Sequence, residues 1–381
     1  MKNKIRIGLV GHFRYRNGNI PDGVARWTES IFNYLLNKDY NVEGYAFCGD
    51  SRNNEKEKVN FYTDKEIAKR IEETNLDIAI IRGSAKVSNE LLDSCIKKGI
   101  KSIFVMPYWG LWQGTFDLAK KSDILITGTK DYAEELRNYT KRDCRYIPWP
   151  IETNFWTPGN SQFIENLTKK DIKNKFKIIY AGRLGKTKKV HRFIEPFKKH
   201  FLDKNKKDFL FIICGQAENE DTKFAIENEI KKNNLEEQVL PIFRGFTMEE
   251  MREIYRSTDV FIFPSSGDTY GQSHLESISC GIPAVVPVGK DWTDNAVPSM
   301  ANLPNYLFGF KAGKIWDEIG RKIEYPSHDW EEACQKIEWI YNNRKESKII
   351  IEEYQKIIKR DMSLEIIGKS IEKTIEDVYN K

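Results

Sequence analysis

Paired cysteines, long apolar runs and a strong charge of one sign are all missing from this 381-residue sequence. Its six cysteines form no CxxC pair, which argues against a zinc site of paired thiolates and favours a reducing compartment. No stretch approaches the roughly 20 apolar residues that span a bilayer. The sequence opens with MKNKIRIGLV, a strand pattern rather than a signal peptide. These absences predict a cytoplasmic protein.

The charge balance limits the possible partners. The 61 basic and 56 acidic residues give a net charge of +5. A dedicated nucleic-acid binder usually carries a clustered basic excess, so nucleic acid is an unfavoured partner here. With 40% hydrophobic and 31% charged residues, the chain has a globular composition. At about 150 residues per domain, its length predicts two domains.

Short apolar runs alternate with amphipathic, helix-like stretches along most of the sequence. Such alternation predicts βαβ units with parallel sheets. The runs are continuously apolar because both faces of a parallel sheet are covered. The predicted strands are residues 5–10, 42–47, 78–81, 102–106 and 124–127 in the first half, and 177–180, 209–214, 239–243, 260–263 and 284–286 in the second.

The alternation is interrupted between residues 147 and 175 by turn signals such as Pro158-Gly159, which predict an interdomain linker. After residue 329 only helical patterns remain. The chain is therefore predicted to be an α/β protein with two Rossmann-like, doubly wound domains. The first comprises residues 1–158 together with a C-terminal helix at 362–381, and the second comprises residues 172–361.

The loop between the first strand and the first helix, residues 11–23, is the first candidate binding element. In an open α/β sheet, ligands bind outside the carboxyl ends of the strands. Gly23 allows the backbone to approach an anion at the N-terminus of the following helix. The alternative is a tight turn without a ligand. His12 lies on the same loop, with either a binding or a structural role.

Two cations follow the first strand of the second domain. A guanidinium such as that of Arg183 can hold two phosphate oxygens, and the ammonium of Lys188 can act as a compact counter-charge. Together they could neutralise the charge that develops on a diphosphate leaving group. The alternative is a pair of solvated loop charges.

Two carboxylates, Asp268 and Glu276, follow the strand at 260–263 and are separated by a glycine-containing turn. A carboxylate can accept hydrogen bonds from two adjacent sugar hydroxyls. An acidic helix start is the weaker explanation for Glu276, because an unpaired carboxylate in this apolar helix would be costly. Backbone N–H groups between the two carboxylates are further candidates to contact an anion or a sugar oxygen: those of Tyr270, Gly271, Gln272 and Ser273.

Together these segments resemble the family 4 retaining glycosyltransferases, which have the GT-B fold. Gly182-Arg183-Leu184 with Lys188 is similar to the family's G-R-L-x3-K segment. Residues 268–283 resemble its EGFGLPLLEAMACGTP motif, and residues 147–158 resemble its I-P-N-G-V-D-x3-F-x-P segment. The resemblance is dense and in order in the C-terminal half, whereas the N-terminal half matches only in outline.

The resemblance implies two domains facing across a cleft, with the C-terminal helix crossing back to the first. It implies that Arg183 and Lys188 bind the donor diphosphate, that Glu276 holds the ribose and that Asp268 contacts the transferred sugar. Gly23 would approach the phosphates. The donor is a substrate, a UDP- or GDP-linked hexose-type sugar, and no metal or separate cofactor is expected. Transfer would retain the anomeric configuration, with Arg183, Lys188 and Asp268 as the catalytic residues.

Several positions depart from the family pattern. Asp268 replaces the usual first Glu and shortens the reach by one methylene. Lys189 stands where the family often has Gly, and His274 is expected to pack in its helix. Residues 106–112 lack the histidine that members often carry; the aromatic side chains there could stack on a sugar or belong to the core.

The acceptor stays open at this stage. A glycan, a lipid-linked glycan, a small metabolite, a protein or modified DNA would all supply a hydroxyl. Peripheral membrane contact could involve the loop Phe13-Arg14-Tyr15-Arg16, although that loop could equally bind the acceptor or be solvated. The alternatives to transfer are a sugar-nucleotide epimerase or phosphorylase, and a GT-B protein that binds sugar nucleotides without catalysis.

Overall fold

The computed structural model describes residues 4–13, 23–47, 52–54, 58–83, 89–106, 118–185, 188–265, 268, 270–289, 297–312 and 328–381. The chain divides into two compact units. The described residues up to Glu152, together with Asp361–Lys381, form unit 1, and Thr153–Arg360 form unit 2. Residues 159–171, which the sequence prediction leaves between the domains, lie in unit 2.

Unit 1 is built on an eight-stranded sheet of order β3-β4-β2-β1-β5-β6-β7-β8, in which only β3 and β4 pair antiparallel. The five predicted strands are confirmed, whereas β3, β4 and β8 were not predicted because each has four residues or fewer, and β3 and β8 are also largely polar. The strands are β1 (Arg6–Gly11), β2 (Asn41–Phe47), β3 (Arg52–Asn54), β4 (Val59–Tyr62), β5 (Ile78–Arg82), β6 (Lys101–Val105), β7 (Ile124–Thr127) and β8 (Asp143–Tyr146).

Helices cover this sheet, and the C-terminal helix is one of them. Gly368 in that helix lies so close to Tyr34 that a Cβ atom would be 2.3 Å from the Tyr34 Cζ atom. Arg145 Nη1 forms an ion pair with Asp377 Oδ2 at 2.9 Å. The C-terminal helix therefore packs within the first unit, as predicted. The helices of unit 1 include α1 (Gly23–Asn37), α2 (Asp64–Glu73), α3 (Asn89–Lys98), α4 (Lys130–Thr140) and α11 (Leu364–Tyr379).

Unit 2 contains a six-stranded, wholly parallel sheet of order β11-β10-β9-β12-β13-β14. The chain adds strands on one side of β9 and then, from β12 onward, on its other side. The strand order therefore reverses between β9 and β12, where open α/β sheets bind their ligands. The strands are β9 (Phe176–Ala181), β10 (Phe209–Cys214), β11 (Val239–Ile242), β12 (Val260–Ile262), β13 (Ala284–Val288) and β14 (Gly309–Lys311).

The five predicted strands of unit 2 are confirmed, and only the three-residue β14 was missed. Its helices are α5 (Phe163–Thr168), α6 (Glu220–Lys232), α7 (Met248–Arg256), α8 (Ser273–Ser279), α9 (Trp330–Asn342) and α10 (Arg344–Met362), whose last two residues belong to unit 1. Residues 190–202 form consecutive 3-10, α and π turns, and Pro298–Asn302 forms a 3-10 turn. Within the described ranges, no helix is long and apolar enough to cross a bilayer.

Local sequence signals explain where these helices begin. At α7, Thr247 and Glu250 form a capping box. The Thr247 hydroxyl accepts a hydrogen bond from the Glu250 N–H at 3.2 Å, and the Glu250 carboxylate accepts one from the Thr247 N–H at 2.9 Å. At α6, the Asn219 side chain accepts a hydrogen bond from the Thr222 N–H at 2.9 Å. Both caps satisfy backbone N–H groups that have no partner inside the helix.

The loops that follow β9 and β10 approach each other at backbone distance. The Gly182 N–H donates to the Cys214 carbonyl at 3.0 Å, and the Leu184 N–H donates to the Gln216 carbonyl at 3.0 Å. A Cβ atom on Gly215 would lie 1.8 Å from the Gly182 carbonyl oxygen, so only glycine allows this approach. The pairing fixes the backbone on both sides of Arg183.

We expect Gly215→Ala to lower the free energy of unfolding of unit 2 by about 3 kcal/mol, since backbone atoms must move apart. Gly185→Ala is the matched control, because its Cβ would meet only the end of the flexible Glu218 side chain, at 2.7 Å. Its cost should stay below about 1 kcal/mol. Denaturant titration of both variants measures the difference, and equal losses would contradict the assigned close approach.

Candidate active site

The candidate residues of unit 2 come from loops at the carboxyl ends of β9 and β12, which are neighbours in the sheet. Arg183 and Lys188 follow β9, Asp268 follows β12, and Glu276 lies in the first turn of α8. These loops flank the point where the strand order reverses. The topology therefore brings one set of cations and one set of carboxylates to the same edge of the sheet.

Lys188 and Asp268 form an ion pair across that point. The Lys188 Nζ atom donates a hydrogen bond to Asp268 Oδ2. The two side chains are only 13% and 17% exposed. Lys188 Nζ also lies 5.2 Å from the ring centre of Phe263, at the end of β12, in a cation–π arrangement. The sequence predicted that Lys188 contacts the diphosphate and Asp268 the sugar, and the structure shows that the two side chains also contact each other.

The environment of Asp268 keeps its carboxylate ionised. Burial acts to raise the pKa of Asp268, but the charge and hydrogen bond of Lys188 act to lower it. The Tyr270 N–H contributes in the same direction, at 3.5 Å from Asp268 Oδ1. The net result is a pKa below the ordinary value for aspartate. The carboxylate is therefore an acceptor of hydrogen bonds at neutral pH.

Arg183 has a different setting. Its side chain is 60% exposed, and Nη1 lies 3.4 Å from Glu218 Oε1. Its carbonyl accepts a hydrogen bond from the Tyr180 hydroxyl at 2.8 Å, which fixes the backbone while the guanidinium faces solvent. Because an exposed ion pair contributes little, the guanidinium can exchange Glu218 for an incoming anion at small cost.

Glu276 is buried, at 2% exposure, in a seven-residue helix of which all but Ser273 are buried. The negative charge of Glu276 also acts on a neighbouring thiol. The pKa of Cys280 is raised to about 12, mainly by burial and secondly by the charge of Glu276. A carboxylate that shares a short helix with apolar side chains is expensive to bury. The assignment of Glu276 to the ribose stays a prediction.

The turn between the carboxylates is held from behind by the Pro298–Asn302 segment. The Tyr270 carbonyl accepts from the Ser299 N–H at 3.0 Å, and the Tyr270 hydroxyl accepts from Asn302 Nδ2 at 2.9 Å. Gly271 has a φ of +82°, and a Cβ there would lie 2.6 Å from Val297 Cγ1. Gln272 immediately precedes α8, and Ser273 is its first residue. Sequence reasoning missed Ser299 and Asn302, since no motif links them to Tyr270.

Gly23 lies in unit 1 as the first residue of α1. His12 contacts Phe47 with ring centres 5.7 Å apart. Phe13 is 7% exposed and packs edge-on against Phe32, so its side chain belongs to the core of unit 1 and not to a membrane-facing surface. Arg14, Tyr15, Arg16 and residues 107–112 lie outside the described residues. Among the side chains that the structure describes, no cluster of three or more His, Cys, Asp or Glu could hold a metal ion.

Comparisons with known proteins agree with the resemblance. Residues 163–288 match the family model described as Glycosyl transferases group 1. A D-inositol 3-phosphate glycosyltransferase of Corynebacterium jeikeium is 25% identical over 232 residues, which are 58% of this chain and 50% of that protein. A mannosylfructose-phosphate synthase of Agrobacterium fabrum is 25% identical over 158 residues, which are 39% of this chain and 33% of that protein. The chain thus spans half or less of these relatives.

The fold extends over nearly the whole chain. A crystal structure of Anabaena HepE in complex with UDP and glucose superposes with a TM-score of 0.75, covering 98% of this chain and all of the other, at 14% identity. At that identity the likeness establishes the fold only. The predicted GT-B fold class is confirmed, as is the resemblance to these glycosyltransferases.

We predict that Lys188 and Asp268 are strongly coupled in stability. Lys188→Met strands a buried carboxylate and should cost about 3–5 kcal/mol. The double variant with Asp268→Asn should cost much less than the sum of the two single losses. Because the pKa of Asp268 is lowered on folding, its stabilisation is present above the ordinary aspartate pKa and lost as pH falls through the lowered value. Urea titrations from pH 7 to pH 3 measure both effects.

The exposed pair of Arg183 and Glu218 provides the matched control for that cycle. Arg183→Met and Glu218→Gln should each change the free energy of unfolding by less than about 1 kcal/mol. Additive losses for the Lys188 and Asp268 variants would show that the buried contact does not form in solution.

Lys189 generates a separate prediction, because its φ of +46° is left-handed, a conformation that favours glycine. We expect Lys189→Gly to be more stable than Lys189→Ala by roughly 1 kcal/mol, since both remove the side chain but only glycine relieves the backbone. Thermal unfolding of the two variants makes the comparison. A more stable alanine variant would rule out the left-handed backbone at this position.

Proposed function

We propose, on the premise that residues 163–288 are the group 1 glycosyltransferase segment of a GT-B chain, that the protein transfers a hexose-type sugar from a nucleotide diphosphate to an acceptor hydroxyl. The observation that carries the proposal is the buried Lys188–Asp268 pair at the carboxyl ends of β9 and β12, together with the buried Glu276 in the helix that follows β12. Burying charged side chains costs free energy, and the binding of a charged, hydroxyl-rich ligand would explain why they are placed here.

The cations are assigned to the diphosphate. As the bond between the anomeric carbon and the diphosphate oxygen breaks, the electron pair leaves with that oxygen and negative charge develops there. Lys188 lies at the carboxyl ends of the strands, and Arg183 is held by an exposed ion pair that it can exchange for phosphate oxygens. Pre-placed cations stabilise such developing charge strongly. We therefore expect transfer to proceed without an added divalent metal.

The carboxylates are assigned to the sugars. Asp268 is ionised and can accept hydrogen bonds from hydroxyls of the transferred sugar, while Glu276 can accept two from the ribose. The backbone around Tyr270, Gly271, Gln272 and Ser273 borders the same site, and Gly23 is assigned to the phosphates from unit 1. With retention, the acceptor hydroxyl attacks on the face that the diphosphate leaves, and a diphosphate oxygen takes the acceptor's proton.

The named relatives suggest where a substrate search should start. HepE was crystallised with UDP and glucose, which favours UDP-glucose as the first donor to test beside GDP-sugars. The two curated relatives are named for an inositol phosphate and for a sugar phosphate product. Phosphorylated polyols and sugars are therefore the first acceptors to test, ahead of lipid-linked glycans and modified DNA.

A thermal-shift screen of UDP- and GDP-sugars tests the proposal. A true donor at 100 times its dissociation constant should stabilise the protein by about 2.7 kcal/mol. Product analysis with each acceptor, with and without a chelator, then tests transfer and its metal independence. NMR of the product reports retention or inversion at the anomeric carbon. If no nucleotide sugar raises the melting temperature, the proposal fails.

We predict that Lys188→Ala lowers kcat/KM for the donor by about 100- to 1,000-fold, because a charge-stabilising group is lost. Glu276→Gln should act mainly on the affinity for the nucleoside diphosphate. Lys199→Ala, which removes an exposed surface lysine paired with Glu195, is the control and should leave kcat/KM unchanged. Donor binding with full activity in Lys188→Ala would contradict the assigned role of Lys188.

A further inference from the structure

His274 is a buried polar residue that the proposed transfer mechanism does not use. It lies between Asp268 and Glu276, at a position that is leucine in the family motif it resembles. Its side chain is completely buried. Burial lowers the pKa of His274 to about 3, Asp268 acts to raise it and Lys188 to lower it, so the ring is neutral at physiological pH. A neutral imidazole in place of an apolar side chain needs a hydrogen bond to be tolerated there.

Ser299 supplies that hydrogen bond. The Ser299 hydroxyl and His274 Nε2 are 2.8 Å apart, and both groups are buried. No described residue hydrogen-bonds to the other ring nitrogen, Nδ1, which is also buried. The contact with Ser299 is therefore the polar anchor of the ring. An anchored ring has one orientation, which an apolar side chain at this position would not have.

The orientation matters because the ring supports the turn that carries Asp268. A Cβ atom on Gly271 would lie 2.8 Å from His274 Cε1, so the imidazole sits directly against the Gly271 backbone. Ser299 also donates its N–H to the Tyr270 carbonyl at 3.0 Å. His274 and Ser299 thus hold two adjacent residues of the turn, and Tyr270 in turn directs its N–H toward Asp268.

We propose that His274, anchored by Ser299, is a positioning residue that sets where the Asp268 carboxylate meets the transferred sugar. The inference rests on the proposed function and extends it to sugar selection. Aspartate reaches one methylene less far than the glutamate of the family pattern, so the backbone that carries it must be held in place. A backbone shift of about 1 Å is enough to lower a catalytic rate by about two orders of magnitude.

The test compares the effect of each variant on the use of the nucleotide sugar with its effect on the binding of the nucleotide alone. We expect His274→Leu and Ser299→Ala to lower kcat/KM for the nucleotide sugar about 10-fold or more, while the dissociation constant for UDP, or for GDP if the donor is GDP-linked, changes less than 2-fold. His274→Gln places an amide near the position of Nε2 and should restore most of the activity. The double variant His274→Leu/Ser299→Ala should be no worse than either single variant, because both remove one shared contact.

Ser279→Ala is the matched control. Its hydroxyl donates to the Leu275 carbonyl at 2.8 Å within the same helix, so the substitution removes a similar buried hydrogen bond away from the turn. It should leave both nucleotide and nucleotide-sugar constants unchanged. If His274→Leu fails to fold, the milder Ser299→Ala carries the test alone.

Two results would overturn the positioning role. One is an equal loss of affinity for nucleotide and nucleotide sugar in both variants, which indicates packing alone. The other is unchanged kinetics in both. A wild-type protein that binds and transfers no nucleotide sugar would overturn the proposed function together with this inference, whereas an active wild type with unaffected variants overturns the inference alone.

Discussion

The buried ion pair between Lys188 and Asp268 is the interaction that requires two loops of unit 2 to be held in fixed positions. It joins the loop after β9 to the loop after β12, across the point where the strand order reverses. Moving two charges out of water is costly, and their attraction offsets that cost only when the geometry is held. The surrounding structure is therefore organised to fix both loops.

Each loop is fixed by a different device. The β9 loop is paired with the β10 loop through backbone hydrogen bonds, an approach that requires glycine at Gly215. The β12 loop is held by contacts with His274 and with the Pro298–Asn302 segment. The β9 loop is fixed because a glycine lets two backbones come close together. The β12 loop is fixed by contacts that involve buried polar side chains.

Much of this could be predicted from sequence, and the failures have physical causes. The central strands are covered on both faces, so their continuous apolar runs identify β1, β5, β9 and β10. Edge strands such as β8 and β14 are short or polar and give no such signal. Motif spacing made Lys188 and Asp268 candidates, but it did not predict their contact, because that contact joins positions 80 residues apart. Ser299 is tied to Tyr270 by the fold alone.

The pairing also changes how the proposed site works. From the sequence, Lys188 was expected to contact the phosphates and Asp268 to contact the sugar, independently of each other. In the structure the Lys188 ammonium already donates to the Asp268 carboxylate, so under the proposed assignment a diphosphate would share Lys188 with Asp268. Binding of the nucleotide half then alters the charge balance around the carboxylate that receives the sugar half. In the proposed mechanism, a single ammonium with three donors couples the two parts of the donor.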